Sequence, residues 1–183
     1  MIYVGEVLRL HKLWLTDNQK GKKADLTGAD LVSAELTTVN LRYAVLRNAK
    51  MSASIFNYSD LSHSDLHGAD LGAASLIGVD LTGANLTGAN LSFATLTDAN
   101  LSNANLRHAN LGGVEMFNVN LSGADLRGTN LRACDMGGGN LDGADLRGAD
   151  LGDSDMTRCH IPNHSGAILS DDDPRIANLK KNT

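Results

Sequence analysis

A leucine or a close substitute stands at every fifth position over most of this chain. Stepping by five from residue 26 to residue 156 gives 27 central positions, which hold 22 Leu, four Met and Phe56. A period of five fits neither the helical period of about 3.6 residues nor the strand period of about 2. Because the register never slips, the whole segment must repeat one local conformation.

Each five-residue unit, here called a quintet, has an internal pattern around its central residue. Position −2 is Ala in 16 of 27 quintets and is otherwise Val, Ser, Thr, Cys or Gly, while position −1 is Asp or Asn in 20. In an extended chain alternate side chains share a face, so position −2 and the centre point inward and position −1 points to water. Positions +1 and +2 are turn-forming residues such as Gly, Ser and Asn. Each quintet therefore predicts a very short strand followed by a corner.

A chain that turns in the same way every five residues winds into a solenoid, whose coils stack as parallel strands about 4.8 Å apart. The spacing of identical residues predicts how many quintets complete one coil. Steps of 20 residues separate three central methionines, and also three arginines that follow central leucines: Met116, Met136 and Met156, and Arg107, Arg127 and Arg147. Four quintets per coil are therefore expected.

The repeated motif A(D/N)LXX, seen here as ADLTG, ANLSN and ADLRG, resembles the pentapeptide-repeat proteins. The resemblance covers residues 24–163 if CHIPN is accepted as a degenerate last quintet. It implies an all-β solenoid, specifically a right-handed quadrilateral parallel β-helix, which agrees with the reading from the residues. About seven coils are expected, giving a rod about 32 Å long.

The two ends of the solenoid need covering, since an open end exposes strand edges and apolar side chains. Within residues 1–23, the apolar residues between Tyr3 and Leu15 cluster on one side of a helix. This helix is predicted to cap the first coil, followed by a polar linker, although a partner-binding or membrane-surface helix has the same pattern.

The C-terminal segment, residues 164–183, carries a second helix signal, with Asp173 as N-cap and Pro174 at the first helical position. Such a short helix could fold over the last coil, form a homodimer through that end of the solenoid, or remain disordered.

Composition excludes several classes of protein. The net charge of −5 argues against direct nucleic-acid binding, which usually needs a basic face. No signal peptide and no apolar run of about 18 residues is present, so we expect a cytoplasmic protein without membrane contact. The two cysteines, Cys134 and Cys159, form neither a disulfide framework nor a metal-ligand spacing.

The sequence predicts no enzyme, cofactor or metal site, because the repeat itself accounts for every Ser and Asp that could build a catalytic constellation. His63 and His67 lie near several aspartates and suggest a metal site. Residues four apart straddle a corner of the solenoid, however, so two exposed histidines are the favoured interpretation.

Two outward groups are candidates for a surface function. The arginine column (Arg107, Arg127 and Arg147) follows Asn105, Asp125 and Asp145 by two residues, which favours a ladder of ion pairs over an anion site. An apolar group falls on one face by the 20-residue count and is the candidate contact patch: Ile55, Tyr58, Ile77 and Phe117.

Two functions remain. The first is a non-catalytic interaction scaffold whose rigid faces bind a protein partner. The second follows from the resemblance, since some pentapeptide-repeat proteins mimic duplex DNA and bind type II topoisomerases such as DNA gyrase. Residues 24–158 carry 16 acids and eight bases, a net charge of −8. Duplex DNA about 32 Å long carries roughly 19 negative charges, so the charge count weakens the second interpretation.

Overall fold

The computed structural model describes residues 4–159, which form one α-helix followed by a stack of very short extended segments. Helix α1 spans Val4–Thr16. From Asp25 onward, each −1 residue forms a parallel β-bridge with the residue 20 positions later, as in Asp25 with Val45 and Asp135 with Asp155. One coil therefore contains four quintets. Residues 160–163 of the last quintet and the segment 164–183, with the helix predicted at Asp173, lie outside the described residues.

The interior is filled by the two inward positions of the quintet. Leu26, Phe56 and Met116 are fully buried at central positions, and alanines such as Ala49 and Ala84 are buried at position −2. Alanine is the commonest residue at position −2, and Val79, Val114 and Val119 are buried there as well. The core is consequently a continuous column of central side chains that runs along the solenoid axis.

Hydrogen bonds between the coils follow the same period. Leu26 N–H donates to the carbonyl of Val45 at 2.7 Å, and Val45 N–H donates to the carbonyl of Ala24 at 3.0 Å. Where position −2 is polar, its side chain finds a nearby carbonyl: the Ser64 hydroxyl donates to Leu61 O at 2.7 Å. Buried polar groups need such partners, so the sporadic Ser and Thr residues do not interrupt the core.

Every corner of the solenoid uses the left-handed backbone region. All 27 residues at position +2 have φ between 53° and 76°, and 16 of them are not glycine. Ala29 N–H donates to Leu26 O at 3.0 Å and closes the first of these turns, which is the hydrogen bond of a β-turn with positive φ at its third residue. The corner geometry is therefore imposed by the solenoid, even where the local residue does not favour it.

The Asp or Asn at position −1 stabilises the corner that follows it. Asp25 Oδ1 accepts the backbone N–H of Thr27 at 3.0 Å, and Asn110 Oδ1 accepts that of Gly112 at 3.2 Å. The same amides also connect coils: the Nδ2 groups of Asn90, Asn110 and Asn130 each donate to the residue 20 positions earlier, and the ladder ends on Asp70. This double use explains why Asp and Asn dominate position −1.

Helix α1 lies against the first coil. Val4, Val7 and Leu8 pack on the core, and the buried His11 accepts a hydrogen bond on Nδ1 from the backbone N–H of Ala24 at 3.1 Å. The chain after the helix is held more tightly than a linker: Lys22 N–H donates to Leu10 O at 3.1 Å. A Cβ on Gly21 would lie 2.4 Å from that same carbonyl oxygen, so only glycine fits there.

The outer surface has four faces, numbered by their first quintets. Face 1 begins with residues 24–28, face 2 with 29–33, face 3 with 34–38 and face 4 with 39–43, and each face recurs every 20 residues. Positions −1, +1 and +2 of every quintet provide the outward side chains.

Candidate interaction surface

The candidate contact patch lies on face 3, and three of its four residues lie on two neighbouring coils. Ile55 and Tyr58 belong to one quintet, and Ile77 lies on the next coil. Phe117 lies two coils beyond Ile77, about 10 Å further along the axis. Tyr58 is 67% exposed and Phe117 44% exposed, while the two isoleucines are half-buried. The patch is therefore one apolar cluster plus a separate phenylalanine.

Both aromatic rings of face 3 lie over glycines of the next coil. A Cβ placed on Gly78 would approach the Tyr58 ring to 2.7 Å, and one on Gly137 would approach the Phe117 ring to 3.2 Å. Because these glycines leave space, each ring can lie along the face and need not project into water.

Two hydrogen bonds join the coils that carry the apolar cluster. Asn57 Oδ1 accepts hydrogen bonds from the Ser75 hydroxyl at 2.7 Å and from the backbone N–H of Ile77 at 3.0 Å. The coils that carry Ile55 and Ile77 are thus connected by side chains as well as by backbone.

The charges are distributed unevenly over the four faces. Face 1 carries four acids and four bases and is neutral, with Asp25, Asp65, Asp125 and Asp145 against Arg47, Arg107, Arg127 and Arg147. Face 3 carries five acids and one base, a net charge of −4, from Glu35, Asp98, Glu115, Asp135, Asp155 and Arg158. Faces 2 and 4 carry −2 each. Face 3 is therefore both the most acidic face and the one with the apolar cluster.

The arginine column of face 1 forms ion pairs at two of its three predicted positions. Arg127 and Arg147 bind the carboxylates of Asp125 and Asp145, with Nε to Oδ1 distances of 2.8 and 2.9 Å. These hydrogen bonds lower the pKa of both aspartates below its ordinary value. Arg107 follows an asparagine and has no ion pair within the part of the chain that the structure describes.

Sequence reasoning missed the most exposed aromatic residue. Phe93, on face 2, is 75% exposed and lies over Gly113, whose Cβ would approach its ring to 2.7 Å. The quintet register did contain the signal, since Phe93 stands at position +2 and every +2 side chain points outward. It belongs to a quintet of face 2, whereas Ile55, Tyr58 and Ile77 belong to quintets of face 3.

A second missed feature is an aromatic stack beside the helix. Tyr43 stacks on His63 of the next coil with ring centroids 5.2 Å apart, and Trp14 meets the edge of Tyr43 at 6.5 Å. An open depression of about 560 Å³ lies there, lined by Trp14, Leu15, Thr16, Asp17, Asn18 and Tyr43. Both the stack and the depression form where α1 meets the solenoid, and no local sequence pattern predicts a contact between two separate elements.

The remaining polar candidates do not converge. Within residues 4–159 no group of three His, Cys, Asp or Glu side chains could hold a metal ion. The His63 ring stacks on the Tyr43 ring. Burial raises the pKa of the Cys134 thiol to about 12 and that of the Cys159 thiol to about 11, so both remain protonated at neutral pH and are poor nucleophiles. The described part of the chain also contains no helix with the length and hydropathy needed to cross a membrane.

The repeats of this chain match a known protein family and several solved structures. The model of the pentapeptide repeats matches in eight copies, in overlapping segments from residue 22 to residue 161. No curated relative matches the chain. Among solved structures, the chain is 29% identical to HetL, a pentapeptide repeat protein involved in heterocyst differentiation regulation from the cyanobacterium Nostoc sp. strain PCC 7120. That match covers 93% of this chain and 98% of HetL with a TM-score of 0.46.

Two further structures show the range of the similarity. A pentapeptide repeat protein of the Arabidopsis thaliana thylakoid lumen is 29% identical over 61% of this chain and 67% of its own, with a TM-score of 0.40. Full-length QnrB1, a plasmid-mediated fluoroquinolone resistance protein, is 17% identical over 87% of this chain and 96% of its own, with a TM-score of 0.41.

Proposed function

This chain belongs to the pentapeptide-repeat family, whose members form right-handed β-helices, and on that premise we propose that it is a non-catalytic scaffold that binds a protein partner through an outer face. The observation that carries the proposal is the apolar cluster of face 3, on a rod whose other outward positions are mostly polar. An exposed apolar cluster on a largely polar surface is typical of a protein contact site.

The filled interior supports this proposal. Central side chains such as Leu61, Leu86 and Leu106 are completely buried and occupy the axis of the solenoid. Enzymes usually bind substrates in concave pockets with converging polar groups, whereas here the polar side chains diverge from four outer faces. Binding at the surface is the activity that such an arrangement favours.

We also propose that α1 caps a β-helix of about seven coils. The contacts of Val7 and Leu8 with the core and the hydrogen bond from Ala24 to His11 support the cap. A covered end would prevent the first coil from pairing with another chain, since free strand edges promote aggregation. In this arrangement the side faces are left for partners.

A DNA mimic that binds DNA gyrase is the second candidate function. The net charge of −8 over residues 24–158 has the sign of DNA, but it is under half of the roughly 19 negative charges of a duplex of that length. The neutral face 1 disfavours it, because duplex DNA presents phosphates all around its axis, whereas Arg127 and Arg147 neutralise one side of this rod.

An affinity experiment tests both functions. The immobilised protein is incubated with a bacterial lysate, next to a variant with Ile55→Ser, Tyr58→Ser and Phe117→Ser, and the same preparations are added to a gyrase supercoiling assay. A scaffold retains a reproducible partner that the variant loses. Retention of no protein by the wild type contradicts the scaffold. Unchanged supercoiling at a large protein excess rejects the gyrase function.

A further inference from the structure

Three carboxylates on consecutive coils of face 3 form an uncompensated column. Glu115 is bridged to Asp135, and Asp135 is bridged to Asp155, so neighbouring carboxylates are about one strand spacing, 4.8 Å, apart. Like charges directly opposite each other on neighbouring strands are destabilising. Within residues 4–159, none of the three carboxylates lies within ion-pair distance of a Lys or Arg side chain.

Face 1 shows how the same repeat neutralises such a column. Asp125 is bridged to Asp145, and an arginine at position +1 of each quintet pairs with its own aspartate. On face 3 the equivalent +1 positions hold Phe117, Gly137 and Thr157. The lack of ion pairs on face 3 therefore results from the residues at its +1 positions, because the fold accommodates arginines at the equivalent positions of face 1.

The acidic column adjoins an exposed aromatic ring. Phe117 is in the same quintet as Glu115, and its ring lies over Gly137, two residues after Asp135. Further toward the N-terminal end of face 3 lies the cluster of Ile55, Tyr58 and Ile77. Along one face the surface thus changes from apolar to acidic, and Phe117 lies beside the first two carboxylates of the column.

We propose that face 3 binds a segment of a partner protein that is apolar toward one end and basic toward the other. In this proposal, which rests on the scaffold function, apolar side chains of the segment cover Ile55, Tyr58 and Ile77. Lys or Arg side chains of the segment bind the column Glu115, Asp135 and Asp155. Charge complementarity identifies this occupant, since a cationic partner relieves the repulsion within the column and an anionic partner increases it.

The length of the surface fits a single helix. Five coil steps separate Ile55 from Asp155, which is about 24 Å along the axis. An α-helix of about 16 residues has that length. A helix with leucines toward one end and lysines toward the other would meet both parts of the surface in one orientation.

A peptide-binding measurement tests the proposal. The probe is a fluorescein-labelled helical peptide of about 18 residues, with leucines in one half and lysines in the other, and a peptide with Glu in place of Lys is the control. Fluorescence anisotropy should show saturable binding of the Lys peptide below about 100 μM, weakened by salt. Absence of binding, or equal binding of the Glu peptide, overturns the proposal.

Two triple variants localise the binding. The variant with Glu115→Gln, Asp135→Asn and Asp155→Asn removes three charges and preserves the side-chain oxygens that cap Gly137 and Thr157. It should weaken binding of the Lys peptide about tenfold or more. The matched control removes three charges from faces 2 and 4, with Asp30→Asn, Asp80→Asn and Asp142→Asn, and should change binding less than about threefold. Equal weakening by the two variants contradicts a site on face 3.

Aromatic substitutions test the apolar part of the surface. Tyr58→Ser should weaken peptide binding, whereas Phe93→Ser, which removes a more exposed ring from face 2, should not. Equal effects contradict the proposal. Sedimentation of the protein alone then tests for a second copy as the occupant. A dimer that is abolished by the variant with Glu115→Gln, Asp135→Asn and Asp155→Asn overturns the proposal in favour of self-association.

The two proposals fail in different ways. If a partner retained from the lysate binds the variant with Glu115→Gln, Asp135→Asn and Asp155→Asn as well as it binds the wild type, the scaffold function stands and the inference about the acidic column is wrong. If the wild type retains no partner and binds no Lys peptide, both are wrong.

Discussion

At the scale of the residue, inward and outward positions could be predicted, whereas the conformations of the outward side chains could not. The quintet register correctly places Phe56 inside and Tyr58 and Phe117 outside. It could not show that Tyr58 lies over Gly78, because that contact joins residues 20 positions apart and depends on the direction in which the ring leans. Neither could it show that every +2 residue has positive φ, including Ala73 and Phe93, since neither residue favours that backbone region by itself.

The register leads to a prediction for two phenylalanines. Phe56 is fully buried between Leu36 and Leu76 of the neighbouring coils, so Phe56→Ala should lower the free energy of unfolding by about 3 to 5 kcal/mol. Phe117→Ala should cost less than about 1 kcal/mol, because much of that ring is already in water. Urea unfolding followed by circular dichroism gives both values. A larger loss for Phe117→Ala would mean that the assigned coil length is wrong.

At the scale of the element, one of the interactions that form each corner could be predicted from the sequence. The excess of Asp and Asn at position −1 was evident, and the structure gives its cause: Oδ1 caps the backbone N–H of position +1, as in Asp80 with Thr82 at 2.9 Å.

The contact of α1 with the first coil could be predicted from the sequence only in part. The apolar side of the helix predicted packing, but the burial of His11 and the fit of Gly21 depend on how two separate elements meet.

The buried His11 makes the attachment of α1 dependent on pH. Its Nδ1 accepts the Ala24 N–H, so protonation of Nδ1 removes the acceptor. Burial is the main cause that lowers the pKa of His11 below its ordinary value of 6.5; Lys23 adds to the effect and a hydrogen bond with the Arg42 backbone opposes it. Because the unfolded chain then binds the proton more readily than the folded chain, this contribution to stability is complete above about pH 6.5 and is lost as pH falls below it.

Melting at about pH 7.5 and about pH 5 tests this dependence. The wild type should lose at most about 1.4 kcal/mol per pH unit from this group. His11→Asn keeps an acceptor near the Nδ1 position and removes the titration, so its melting temperature should depend less on pH over this range. The control His108→Asn, at an exposed residue, should retain the full dependence of the wild type. An unchanged dependence in His11→Asn would show that His11 is not the responsible group.

At the scale of the whole molecule, stability depends on one uninterrupted register. Each coil contacts only the coil before it and the coil after it, and no quintet could survive alone, because ordering five residues costs about 7 kcal/mol while one buried leucine returns roughly 2 to 3. The number of quintets per coil could be predicted from columns of identical residues, since stacking identical side chains requires the 20-residue step that the bridges show. The division of charge among the faces follows from that step as well.

Insertions test this dependence on register directly. Two residues inserted after Asn90 would exchange inside and outside positions in all later quintets unless a loop absorbs them. Such a variant should unfold at a much lower temperature than the wild type. The same insertion after Asn18, in an exposed turn, is the control and should cost little. Lys20 is a poorer control site, because the adjacent Gly21 packs against the carbonyl of Leu10.

A duplication of residues 84–103 separates chain length from register. It inserts 20 residues, ten times as many, yet it restores every later side chain to its original face and adds one coil with its hydrogen bonds. Since the stability of a solenoid is approximately a sum over repeats and their interfaces, the duplicated protein should melt at or above the temperature of the wild type. Thermal melts of the three variants next to the wild type decide the matter. If the duplication is as damaging as the two-residue insertion, chain length and not register limits the fold, and four quintets per coil cannot be the unit of stability.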